Sequence, residues 1–201
     1  MRAAATERRT ALLEAAIALI GRHGMGAVTH RSVAAAAGVP SATTGYYFNT
    51  REQLVDEALA TLAARELEEL RARHARLGPA PTVERTAAAL AAWLLERATL
   101  HGAAALAHHQ LAIEAARRPD LALHLAALKD EADALAVTTL RDLGAADPPL
   151  AAITLVSALD GLLLRLLTQP ASERDPEALA RALRVLLVAL TTVRDAIPNS
   201  I

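Results

Sequence analysis

The chain contains no cysteine, which excludes disulfides, thiolate zinc sites, iron–sulfur clusters and cysteine nucleophiles together and suits a reducing compartment. Aromatic residues make up only 2 % of the sequence, and lysine occurs once, at Lys129. Charge of one sign is lacking as well. The 21 Lys and Arg face 22 Asp and Glu for a formal charge of −1, so there is neither a uniformly basic nucleic-acid coat nor an acidic tail. The most apolar stretch, 151–167, is interrupted by Asp160 and Arg165 and falls short of the roughly 18 uninterrupted apolar residues of a membrane span, so no membrane partner is expected. Met1 to Arg9 lead into an amphipathic stretch instead of an apolar signal region, and the expected location is the cytoplasm. Strand signals, internal repeats and low-complexity tails are missing too.

What is present is alanine and leucine, about a quarter and about a sixth of the 201 residues, both strong helix formers. A hydrophobic content of 53 % is ample for a core in a chain of this length. An all-α fold follows.

Charge divides unevenly along it. Residues 1–55 hold six Arg (Arg2, Arg8, Arg9, Arg22, Arg31, Arg51) against Glu7, Glu14 and Glu52, a charge of +3 that leaves −4 for the remainder. A basic N-terminal module points to a polyanion at that end. Leu12, Ala16, Leu19 and Ile20 recur at helical spacing and predict a first helix ending at Gly24 after His23. Gly21, Gly24 and Gly26 lack the preceding strand and the following Lys of a phosphate loop and read as a helix-terminating turn. Thr29 serves as N-cap for a short helix stopped at Gly38, and a second short segment runs from Ser41 to Tyr47, the layout of a helix-turn-helix. Thr50 with Gln53 reads as a capping box for a long fourth helix towards Leu77, ended by Gly78, Pro79 and Pro81. Five further helices are predicted at about 82–101, 103–117, 119–143, 148–168 and 176–195, with Pro119, Pro148 and Pro176 in first turns and Asp147 and Asp175 as N-caps. The total is about nine.

The informative segment is 29–54. Small Ala34 and Ala37 allow two helices to cross closely, Val39 plugs the shared core, and Phe48 with Leu54 packs the third helix on the fourth. Left exposed in this reading are His30, Arg31, Ser41, Thr43, Thr44, Tyr46, Tyr47 and Arg51, side chains that hydrogen-bond base edges and phosphates.

This pattern resembles the TetR family of bacterial transcriptional regulators over residues 8–56: the first helix ending in Gly24, Thr29-x-x-x-Val33-Ala34-x-x-Ala37-Gly38-Val39, the Tyr47-Phe48 pair and Arg51-Glu52-x-Leu54. Arg118-Pro119-Asp120-Leu121 and Asp160-Gly161-Leu162 are further phrases shared with it. The resemblance implies an N-terminal three-helix helix-turn-helix DNA-binding domain (1–55), joined by the long fourth helix to a C-terminal helical ligand-binding and dimerisation bundle (56–201). It implies a regulator, a repressor by expectation, that binds a palindromic double-stranded operator as a homodimer and is released by a small-molecule effector. Carried over by position, Thr29, His30, Arg31, Ser41, Ala42, Thr43, Tyr46, Tyr47 and Arg51 form the DNA-binding set. Thr44 and Gly45 stand where the family commonly has a Leu-Tyr pair, so that tyrosine's usual phosphate contact is missing.

The second half is less explicit. Its Ala- and Leu-rich composition predicts a chiefly aliphatic pocket and a largely apolar effector, with Trp93, His101, His108, His109, Glu114 and Asp160 as candidate walls. His101, His108, His109, Glu114 and His124 show no recognised metal-ligand spacing, and Glu114 is spaced for an ion pair with Arg117 or Arg118. No Gly-x-Ser-x-Gly elbow surrounds a serine, Ser157, Ser172 and Ser200 included. No cofactor, metal or catalytic residue is expected. The last two helices carry wide apolar faces, from which Ile153, Val156, Leu163, Leu167, Leu183, Leu186, Leu187 and Leu190 are expected at a dimer interface, with Gly161 marking close approach of another helix. The alternative reading is a helical carrier or enzyme whose helix-turn-helix no longer binds DNA.

Overall fold

The computed structural model describes residues 2–78 and 80–192, apart from the side chains of residues 2–4, Asp120 and His124. Pro79, the predicted end of the last helix at 193–195, the side chain of His124 and Ser200 therefore lie outside the described residues. Among those described, every regular element is helical: α1 (Arg2–His23), α2 (His30–Ala36), α3 (Ser41–Tyr47), α4 (Arg51–Leu77), α5 (Val83–Thr99), α6 (Gly102–Ala115), α7 (Pro119–Asp142), α8 (Pro148–Thr168) and α9 (Pro176–Thr192). Two short 3-10 turns, Met25–Ala27 and Ala171–Glu173, were not foreseen.

Caps account for most of the helix starts. The Thr29 hydroxyl accepts from Ser32 N at 3.0 Å while the Ser32 hydroxyl accepts from Thr29 N at 2.9 Å, a reciprocal box that satisfies two otherwise orphaned donors. Thr50 Oγ1 accepts from Gln53 N at 3.1 Å, but Gln53 Oε1 accepts from Asn49 N instead of Thr50 N. Asp147 accepts from Leu150 N at 3.1 Å, and Asp175 from Glu177 N and Ala178 N at 2.9 and 3.0 Å, as N-cap carboxylates do.

The chain forms two compact units, Met1–Glu66 with His101–Leu128, and Leu67–Leu100 with Lys129–Ile201. In the first, Leu12, Ile17 and Ile20 of α1 join Val33, Phe48, Leu54, Leu59 and Leu62, and α6 and α7 add Ala107, Leu111 and Leu121 to the same core. Gly21 is a crossing point and not only part of a terminating turn: a Cβ there would stand 1.8 Å from the Ala103 carbonyl oxygen, so any side chain would force α1 and α6 apart. In the second unit α5 packs on α8 and α9 through Ala87, Ala91, Leu94, Leu155, Leu163, Leu183 and Leu187, all buried. Arg174 ties its ends together by donating to the carbonyls of Leu166 (3.0 Å) and Ala98 (3.3 Å).

By length and composition α8 is apolar enough to cross a membrane, although the interruptions at Asp160 and Arg165 led to the expectation that this stretch falls short of a span. Its composition reflects two apolar faces, one buried on α5 and α9 and one turned outward, where Ile153 and Leu164 are exposed.

Candidate nucleic-acid interface

The α2–α3 pair is held by backbone geometry. Gly38 has φ +68°, a left-handed conformation that a Cβ disfavours, and this reverses the chain so that Gly38 N donates to Ala35 O and Val39 N to Ala34 O. Val39 then packs against the core, and Thr43 N donates to Pro40 O as α3 begins.

Helical phase sorts the α3 side chains. Ser41, Ala42, Gly45 and Tyr46 point outward, Thr43 is half-buried, and Thr44 is fully buried with Phe48. Thr44 was expected outside; it lies four residues before Phe48 and so shares the inward face. Tyr46 is 83 % exposed. Its ring meets Tyr47 edge-on at 5.1 Å, and Tyr47 in turn lies 6.4 Å from Phe48, so a row of aromatics leads from the core to the surface. Tyr47, half-buried and packed on the core, is as much a support as a contact.

On α2 and its approach, Thr29 and Arg31 are exposed, whereas His30 is half-buried with Nε2 inside and unpartnered. Arg51 has a structural role as well as the expected position. Its Nε donates to Val28 O at 2.7 Å and its Nη2 to Met25 O at 2.6 Å, with Nη1 3.8 Å from Glu52. Two of its five N–H groups therefore hold the 25–28 turn to the start of α4, and the rest of the guanidinium stays partly exposed. Arg9 pairs with Glu57 and lies over the Phe48 ring, Arg65 pairs with Glu14, and Arg118 stands 3.7 Å from Asp56. Among the described residues of this unit, Arg8, Arg22 and Arg31 are exposed cations that make no ion pair.

The predicted ligand walls are divided between the two units. His108, His109, Glu114 and His101 belong to the first unit, Trp93 and Asp160 to the second. His108 Nδ1 meets Glu66 Oε2 at 2.7 Å with both side chains largely buried, and His109 stacks edge-on to His108 at 5.7 Å. Glu66 was missed, although a carboxylate continuing the apolar row Leu59, Leu62, Ala63 at helical spacing was a usable signal. Glu114 pairs with Arg117 at 3.9 Å. His101 is exposed at the start of α6, and Asp160 is exposed on α8, so neither faces a bundle interior. Trp93 is half-buried; its Nε1 is enclosed without a partner, and Arg97 lies over its ring. No cluster of three or more metal-ligating side chains occurs among the described residues.

The expected interface residues divide by phase. Leu163, Leu183 and Leu187 are buried in the second unit's own core. Ile153 is 58 % exposed, Val156, Leu167, Leu186 and Leu190 are half-buried, and the outward apolar face also includes Leu150, Leu164, Val185 and Val188. Gly161 has nothing of its own chain within 4 Å of a Cβ position.

A helix-turn-helix with a polar, aromatic outer edge, followed by a separate all-helical bundle, defines a DNA-binding regulator with an appended binding domain. The sequence pattern of bacterial regulatory proteins of the tetR family matches residues 12–58, and that of the tetracyclin repressor-like C-terminal domain matches residues 81–190. A TetR-family member from Streptomyces coelicolor A3 is similar at 30 % identity over 90 % of this chain and 98 % of its own, with a TM-score of 0.69. A transcriptional regulator from Rhodococcus sp. Rha1 aligns at 25 % identity over 94 % and 99 %, TM-score 0.72. The multidrug binding protein EbrR, solved with ethidium, aligns at 30 % over 90 % and 98 %, TM-score 0.63. No curated protein sequence matches the chain. The chain belongs to the TetR family of transcriptional regulators, which bind DNA and small-molecule ligands and are not enzymes.

Proposed function

We propose that the chain is a cytoplasmic repressor that grips a palindromic operator as a homodimer and lets go when a small, largely apolar effector binds. Residues 1–55 serve as the reader and 56–201 as the ligand-binding and dimerisation part. The observation that carries this reading is the outward edge of α3, where Ser41, Ala42 and Tyr46 are exposed beside half-buried Thr43, a strip of hydroxyls and an aromatic suited to a major groove. Thr29, His30 and the unpaired Arg31 flank it, Tyr47 backs it, and Arg51 holds its shape.

Two half-sites on one duplex need two linked readers. The apolar face of α8 and α9, with Ile153, Leu164, Val185 and Val188 exposed, is a surface that a second copy would cover, as isologous dimers do. Effector binding in the C-terminal half, with Trp93 in the wall, must favour a conformation unfit for adjacent grooves, because a ligand with equal affinity for both states shifts nothing. EbrR, similar over 90 % of this chain and solved with ethidium, supports a small organic ligand there.

The test is selection of bound sites from random duplex DNA, followed by titration of the enriched site at several salt concentrations. A palindrome is expected, with affinity falling steeply as salt rises because phosphate contacts release counterions. Failure to enrich any sequence, or enrichment of a single half-site bound by a monomer, would overturn the reading.

A further inference from the structure

Resting on the reading of the C-terminal half as an effector-binding bundle, we propose that the effector carries a carboxylate on an elongated apolar body, received by the N–H groups of Trp93 and Arg73. One side of α5, with Ala87, Ala91, Leu94 and Ala98, is buried in a bundle with α8 and α9. An adjacent side carries Thr86, Leu90, Trp93 and Arg97 at helical spacing. Its two ends are withdrawn from solvent, with Thr86 1 % and Arg97 7 % exposed, while Leu90 and Trp93 between them are half-buried. Yet its polar atoms are not all satisfied: Oγ1 of Thr86 and Nε1 of Trp93 are enclosed with no hydrogen-bond partner. The same holds for Nε of Arg73, whose Nη2 is held by Glu96, a residue of α5 three places beyond Trp93, at 2.8 Å.

Buried donors without acceptors carry the full cost of desolvation, and native folds keep few of them. The indole and guanidinium N–H groups can only donate, so the missing partner is an acceptor. A carboxylate has lone pairs enough for both and makes the stronger, charge-assisted bonds. Thr86 lies about 10 Å further back along the helix, with Leu90 between, which gives the apolar body a strip to follow. A cationic head is disfavoured because the Arg97 guanidinium already lies over the Trp93 ring, 5.6 Å from its centroid, and occupies the π surface that such a ligand would seek.

Decanoate, decan-1-ol and decyltrimethylammonium, each below its micellar concentration, are to be titrated calorimetrically into the full chain. Decanoate is expected to bind at least about tenfold more tightly than either of the others. Trp93→Phe, which keeps the ring and removes the N–H, should lose roughly tenfold for decanoate and distinctly less for decan-1-ol, whose neutral hydroxyl is the weaker acceptor, with the melting temperature as the folding control. No decanoate binding, equal affinity for all three probes, preference for the cation, or an equal loss for decanoate and decan-1-ol in Trp93→Phe would each overturn the assignment. Operator binding without probe judges the regulator reading separately, so a chain that binds operator and prefers the cation refutes the head group alone.

Discussion

The outward face of α3 and the outward face of α8 and α9 leave different kinds of surface uncovered. The first is small, polar and aromatic, with Ser41, Ala42, Gly45 and Tyr46; the second is aliphatic, with Ile153, Leu164, Val185 and Val188. Hydroxyls and a phenol at a surface lose little in water and gain direction from a hydrogen-bonding partner. Exposed valine and leucine gain only from being covered. The contrast separates a face that would gain from a polar partner from one that would gain from an apolar one.

The largest effects should come from the apolar side. Leu183→Ala removes a fully buried core side chain and is expected to cost about 2–5 kcal/mol of stability in denaturant melts. Val185→Asp, two residues on but 67 % exposed, should instead leave the fold intact and convert dimer to monomer, because an unpaired charge is intolerable in a dry interface. Sedimentation of the two variants sharpens the division; an unchanged dimer in Val185→Asp would break it.

Next in size are the arginines of the reader. Arg31→Ala is expected to weaken operator binding by about 1–3 kcal/mol if it contacts a base, with no change in melting temperature. Arg51→Ala should do the reverse in the first instance, lowering thermal stability because the carbonyls of Met25 and Val28 lose their donor. If Arg51→Ala weakens binding without loss of stability, Arg51 belongs to the polar face after all.

The smallest expected effect lies in the second unit, where Arg71 Nε donates to Glu131 at 2.7 Å. The hydrogen bond and charge of Arg71 hold the Glu131 carboxyl below its ordinary value. A depressed folded-state pKa contributes stability above the unfolded carboxylate range that is lost as pH falls through the folded value. The pair is exposed and screened, so Arg71→Ala should differ from the parent only slightly at neutral pH, and the two melting curves should converge in acid.

Much of this was legible locally. The bounds of α3 follow from Pro40, Ser41 and Phe48, and the starts of α2, α8 and α9 from Thr29, Asp147 and Asp175, because caps and turns are written within a few residues. Long-range choices were not. The bonds of Arg51 to Val28 and Met25 span 23 and 26 residues, with no nearby sign that they form. In α8 apolar residues occupy most of the circumference, so periodicity could not tell Leu163, which faces its own core, from Ile153, which does not; in α9, where Glu177, Arg181 and Arg184 share one side, the phase that sets Leu183 and Leu187 opposite Val185 was available to be read. Thr44 was misplaced for a simpler reason: threonine is ambivalent, and only the phase set by Phe48 turned it inward.

The reader's core is assembled from pieces far apart in the order of synthesis. Ala107, Leu111 and Leu121 close over the same cluster as Leu12, Ile17 and Ile20, yet they are translated after the whole of α5. On a ribosome, α1 therefore emerges with part of its apolar side, the part not covered by α2 to α4, open until α6 and the start of α7 have left the exit tunnel. Such delayed closure exposes a nascent chain to misassociation. A fragment cut after residue 55 would keep that exposed side permanently, since the helices that shield it lie beyond the cut.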